Sequence, residues 1–224
     1  QLTNNEIIGG IVCGFFLFLG YGFQNFGLMH TTASKSAFIT SVSVLLVPIF
    51  LVTCNLQKVK WRIWIAVLLA TMGLYLLILP GSRGLNLGDI LTSGCALSFA
   101  LHIIAQDIYI KKEIRLLPFF CVQSGFVTLF SFVNAQIFES SAIIWSDRLF
   151  AAIIITGVLA TFAAFLIMIW AQKILNPSET AIIFSVEPLA AALFATAFGG
   201  EILGLWGWIG GGLVCLAVMY GKSG

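Results

Sequence analysis

Long apolar runs constrain this chain more than any other feature. A helix that crosses a bilayer core needs about 20 mostly apolar residues. Eight stretches come within a few residues of that length or exceed it: 7–29, 33–54, 62–80, 88–110, 116–138, 149–173, 178–199 and 205–220. Charged or turn-prone residues punctuate most of them, clearly at Asn55 to Lys60, Pro80-Gly81-Ser82-Arg83, Lys111 to Arg115, Ser146-Asp147-Arg148 and Asn176-Pro177-Ser178. In lipid a single segment must satisfy its own backbone hydrogen bonds, which predicts helices. A membrane β-barrel would need short strands of alternating polarity, and these runs are too long and too evenly apolar. The soluble alternative fails on composition: 60% of residues are hydrophobic and only 9% charged. A water-soluble fold of this length could not hide so much apolar surface, so the excess has to face lipid.

The loops vote on orientation. With both termini cytoplasmic, the inside holds Lys58, Lys60, Arg62, Lys111, Lys112, Arg115, Lys173 and Lys222, against Lys35, Arg83 and Arg148 outside. That bias is the one the positive-inside rule expects. All six tryptophans (Trp61, Trp64, Trp145, Trp170, Trp206, Trp208) fall near predicted helix ends, where aromatic belts sit. A net charge of +2 is too small to suggest a nucleic-acid partner. The five cysteines are odd in number, widely spaced and set in apolar runs, which fits neither a disulfide framework nor a metal site.

Compared with itself at an offset of 144 residues, the chain matches without gaps. Ser34, Ala37, Ile39, Ser41, Val42 and Leu45 meet Ser178, Ala181, Ile183, Ser185, Val186 and Leu189; further on, Phe50, Trp64, Ile65 and Leu69 meet Phe194, Trp208, Ile209 and Leu213. Helix boundaries agree along with residues, so a duplication is expected. Residues 85–224 then hold a complete five-helix unit, and residues 1–84 hold the last three helices of a first unit. Two further helices would lie upstream, making these eight part of a ten-helix, five-plus-five parent. Units with an odd number of helices insert in opposite directions, and such inverted repeats are typical of secondary carriers that bind solute near the midplane.

These residues carry a family resemblance. The stretch from His30-Thr31-Thr32-Ala33 to Thr40-Ser41 resembles the EamA-type permeases of the drug/metabolite transporter superfamily, as do Gly88-Asp89, Ala171-Gln172, Ser185-Val186-Glu187-Pro188, Gly200-Glu201 and Gly207-Trp208-Ile209-Gly210-Gly211. The likeness covers essentially the whole chain in order, though each motif is short. It implies a ten-helix carrier in the bacterial cytoplasmic membrane that moves metabolites or drugs such as amino acids or nucleosides. The first half departs from the pattern: Gln57 stands at the position matching Glu201, and Val44 opposite Pro188.

Polar residues within the runs need a reason, because a charge in hydrocarbon costs at least about 2.5 kcal/mol on insertion scales. Glu187 lies some nine residues into its run, near the membrane's middle, and Pro188 loosens the helix beside it. It reads either as a solute or proton site or as a structural carboxyl between repeats. Gly94, Ser98, His102 and Gln106 recur at four-residue spacing, which puts them on one face; they could line a cavity or simply hold the core together. Asp107 is expected to pair with Lys111 one turn on. Gln24, Ser36, Thr40 and Gln123 offer groups that donate and accept to a zwitterionic solute, and Gln24 and Thr40 belong to helices that line the central path in the resembled family. Lys35, at the outer rim, either attracts an anionic group or snorkels to water. Gly10 and Gly14, Ala160 and Ala164, and Gly207 and Gly211 have the small-xxx-small spacing that lets helices approach.

The expected function is therefore alternating-access transport of a small solute. Protons are a candidate coupling ion through Glu187 or His102, and the assembly is open between one copy and a homodimer. Nothing resembles a phosphate-binding loop, so ATP is not the expected direct energy source. A non-transporting scaffold or receptor is the alternative. An intramembrane enzyme would need a nucleophile and base or metal ligands at membrane depth, and the chain offers only His30 and His102 with no recognisable catalytic motif.

Overall fold

Short polar residues start the helices. In the computed structural model, which describes residues 2–78, 85–138, 145–198 and 204–222, the Thr32 hydroxyl accepts from the Lys35 backbone N–H and that of Ser146 from Leu149. Asn86 and Asp89 cap each other reciprocally, each side chain accepting from the other's backbone N–H at 2.9 Å. Asn176 and Glu179 form a further capping box, with Pro177 in the first turn. Each device satisfies donors that a helix start leaves open.

Eight helices follow among the described residues. They are α1 (Asn4–Leu28), α2 (Ala33–Ser41, continuing as Ser43–Thr53), α3 (Trp61–Ile78), α4 (Leu87–Ile110), α5 (Leu116–Phe138), α6 (Asp147–Ile154 to Ala164–Ala171), α7 (Pro177–Phe184, continuing as Val186–Phe198) and α8 (Leu205–Lys222). Their bounds lie within a few residues of the eight apolar runs. No strand occurs among the described residues. The Pro80-to-Arg83 turn and the Gly200-Glu201 motif lie outside them.

Two helices are interrupted and one is locally underwound. α2 breaks at Val42, whose N–H reaches Ile39 at 3.1 Å, and α7 breaks at Ser185, whose N–H reaches Ile182 at the same distance. In α7 the cause is local: Pro188 has no N–H to return to Phe184, so the ladder cannot continue across the break. α6 widens to a π-helix over Ile155–Ala163, and the Thr161 hydroxyl donates to the Thr156 carbonyl five residues back at 2.8 Å. α2 ends in a tight reversal at Asn55, whose φ of 52° is a left-handed turn that asparagine tolerates.

The chain divides into two compact units. The first, Gln1–Phe18 with Ala105–Leu175, gathers around Cys13, Ile110, Phe119, Phe120 and Ile169. Gly10 and Gly14 sit directly against α5, where an added Cβ would fall 2.6 Å from Val122 and 2.9 Å from the Gln123 carbonyl. Glu6 receives the Arg115 guanidinium through two 2.8 Å contacts. Of the small-residue pairs, Ala160 and Ala164 form no such seam, for both are exposed.

The second unit, Leu19–Ile104 with Asn176–Gly224, has its core on α3 and α8. Val67, Ala70, Leu74, Val214 and Ala217 are all at most 1% exposed, and Val44, Ile182 and Leu189 pack on them from α2 and α7. The closest approach is backbone on backbone: a Cβ on Gly73 would lie 2.7 Å from the Gly210 carbonyl, and one on Gly210 2.5 Å from that of Gly73. Gly210 makes this crossing, and Gly211 meets Leu189.

Candidate functional site

Within the second unit, polar side chains from four helices converge. Thr40 of α2 donates its hydroxyl to the Cys95 sulfur of α4 at 3.8 Å. Tyr21 of α1 lies within electrostatic reach of Cys95 and of Glu187 on α7, and its ring meets Phe99 edge-on at 5.9 Å. The contact with Phe99 is close because Gly20 leaves room; a Cβ there would sit 2.5 Å from that ring. Glu187 follows the α7 break directly and is exposed, while Gln24, one turn beyond Tyr21, is half-buried. A carboxylate, a phenol, a hydroxyl and a thiol are thus gathered beside an interrupted helix. They can accept and donate hydrogen bonds to a polar solute and counter a positive charge.

The polar stripe of α4 is covered. A Cβ on Gly94 would meet the Phe23 ring at 3.1 Å. The Ser98 hydroxyl returns to the Gly94 carbonyl at 2.8 Å, and His102 is 2% exposed. In the first unit, the Gln106 amide donates to Gln172 at 2.6 Å, and Gln123 is fully buried. Gln106 and Gln123 therefore belong to the first unit. Gln24, Lys35, Ser36, Thr40, His102 and Glu187 belong to the second.

Lys35 and Ser36 occupy a separate cluster at the start of α2. Lys35 pairs with Asp89 of α4, which also accepts from the Thr31 hydroxyl at 2.7 Å. The Ser36 and Thr92 hydroxyls meet at 3.4 Å. Asp107 pairs with Lys111 at 2.6 Å, the local bond expected from their spacing. Three cysteines, Cys54, Cys121 and Cys215, are exposed, whereas Cys13 and Cys95 are buried. No cluster of three or more potential metal ligands occurs among the described residues.

Sequence comparison decides the class. The EamA-like transporter family matches residues 1–79 and 86–220. The chain belongs to that family. An uncharacterized transporter from Archaeoglobus fulgidus is 35% identical over 211 residues, covering 94% of this chain and 67% of that one. A protein of known crystal structure superposes with a TM-score of 0.83 at 14% identity, over 100% of this chain and 79% of its own; at that identity the likeness speaks for fold alone. As an EamA-like transporter, with five helices long and apolar enough to span a bilayer and further shorter apolar ones among the described residues, the chain is a multi-pass membrane protein.

Sequence reasoning missed Tyr21, Cys95 and Asp89. Tyr21 carried a signal, since it stands three residues before Gln24 and so shares its helix face. Cys95 carried none, being one of five scattered cysteines. Asp89 was visible only as half of a Gly-Asp motif.

Proposed function

We propose that this protein is a secondary carrier of small polar metabolites or drugs, working by alternating access around the Tyr21, Thr40, Cys95 and Glu187 group. The observation that carries the reading is the convergence of these four side chains beside the α7 break, in a chain of a transporter family. Carriers build solute sites where helices are interrupted, because unwound backbone and helix ends supply polar groups at membrane depth. Further support comes from the breaks themselves: at the 144-residue offset Val42 corresponds to Val186, one residue from the break at Ser185. That near-coincidence favours two related repeats, residues 1–84 and 85–224, in inverted orientation. On the loop charges, both termini face the cytoplasm and Lys35 the outside. Glu187 is the site's anion, which favours solutes bearing an amine, and it is the first candidate to exchange a proton during transport.

The test is a thermal-shift screen of the purified protein against amino acids, nucleosides and cationic drugs, followed by uptake of the hits into proteoliposomes across pH. A cognate solute at saturating concentration should raise the melting temperature by about 3 °C or more, and Glu187→Gln should abolish the shift. Uptake by Glu187→Gln with unchanged pH dependence would remove Glu187 from coupling. Absence of any ligand-induced shift and of uptake would favour a scaffold.

A further inference from the structure

Two seams of the second unit are built from opposite materials. The α3–α8 seam is apolar along its core, with Val67, Ala70, Leu74, Val214 and Ala217 closed around the Gly73–Gly210 contact, and Arg62 stacks on the Tyr220 ring at one end. The seam where α1 ends, α2 begins and α4 begins is polar. A Cβ on Gly88 would fall 2.6 Å from the Gly27 carbonyl and 2.7 Å from the Thr31 nitrogen, and one on Gly27 would fall 2.6 Å from the Thr92 hydroxyl. Around that contact stand Thr31, Lys35, Ser36, Asn86, Asp89 and Thr92, joined by the Lys35–Asp89 ion pair and the hydrogen bonds of Asp89 and Ser36.

The difference bears on reversibility. Opening an apolar seam toward water exposes hydrocarbon and is opposed in proportion to area. Opening a seam of hydroxyls and one ion pair instead exchanges protein partners for water, so its cost is set by a few polar contacts and not by area. Asp89 is 1% exposed, and its partner Lys35 keeps 14% of its side chain exposed. The glycines let the helices touch without interlocking side chains that would have to disengage.

We propose that the Lys35–Asp89 pair, with Thr31 and the Gly27–Gly88 contact, is a releasable clamp that closes this end of the path leading to Cys95 and Thr40. The inference rests on the carrier reading for its purpose, and its test needs no solute. At the 144-residue offset Lys35 corresponds to Glu179, which instead bonds the backbone of its own Asn176. The clamp is thus particular to one end.

Cys95, fully buried six residues past Asp89, serves as a native reporter once Cys13, Cys54, Cys121 and Cys215 are replaced by alanine. The measurement is its rate of labelling by a membrane-impermeant maleimide in right-side-out and inside-out vesicles. Asp89→Asn should speed labelling by about tenfold or more from the clamp's side only. An oxidised Ser36→Cys/Thr92→Cys disulfide added to Asp89→Asn should slow labelling of Cys95 again, read on its own peptide by mass spectrometry, and reduction should release it. Labelling of Asp89→Asn at the native rate overturns the clamp, as does an equal rise from both sides or a disulfide without effect. Should Asp89→Asn not accumulate in membranes, Thr31→Ala keeps both charges and should give a smaller rise of the same sidedness; a native rate there overturns the clamp equally. A negative result removes the clamp and leaves the solute screen standing.

Discussion

α4 and α6 are both spans of some two dozen residues, yet they are used in opposite ways. Over its most apolar stretch α4 is 56% buried and α6 only 11%. α4 carries Asp89, Thr92, Ser98, His102, Gln106 and Asp107, all at most 4% exposed. α6 turns Ile154, Ile155, Val158, Leu159, Phe162 and Ile167 outward. In water this would be an inverted protein. In a bilayer it is the stable arrangement, because lipid solvates Ile and Leu as well as a core does, while buried polar groups need protein partners. Residue chemistry therefore reports function differently on each helix. On α4 a polar residue marks a packed or solute-facing position; on α6 an apolar one marks the lipid boundary. The π-helical stretch of α6 fits that role, since the Thr156 and Thr161 hydroxyls return to their own helix and leave no polar group facing hydrocarbon.

The contrast can be broken most sharply on α6. Leu159 is 62% exposed, so Leu159→Arg would be nearly neutral on a soluble surface, whereas facing lipid it should cost about 3 kcal/mol. Membrane-inserted yield and melting temperature in detergent check this, and a native-like variant would mean that α6 does not meet the bilayer. On α4, Gln106→Leu takes a hydrogen bond from buried Gln172 and should destabilise by about 2 kcal/mol. The double variant Gln106→Leu/Gln172→Leu should recover most of the loss, because two apolar groups leave no buried donor or acceptor behind; chemical denaturation of the three proteins reads the coupling. Ser98→Ala should change stability by no more than about 0.5 kcal/mol, since that hydroxyl bonds only its own helix. A much larger loss, or a loss of solute binding, would make Ser98 part of the path.

Much of the fold was legible in the residues. Every helix sits where an apolar run predicted it, and α7 begins at the predicted Asn176-Pro177. The break in α7 could be read from Pro188, but that in α2 could not, because Pro48 lies beyond Val42 and frees a different carbonyl. The candidate site was legible in part. Thr40 and Glu187 stood out as polar groups in hydrocarbon, and both belong to the converging group. Gln106 and Gln123 stood out equally but belong to the first unit, and Lys35 proved to be half of an ion pair with Asp89.

The sequence by itself determined the solvent, the number of helices and their ends, since bilayer thickness and hydrogen bonding within each helix act over a few turns of one segment. Only the tertiary structure decided which polar groups meet. Lys35 finds Asp89 54 residues away and Glu6 finds Arg115 109 residues away. That Gly73 faces Gly210 depends on how two helices rotate about their axes. Those choices are made by packing between segments far apart in the chain, where small residues permit close approach and buried polar groups select their partners.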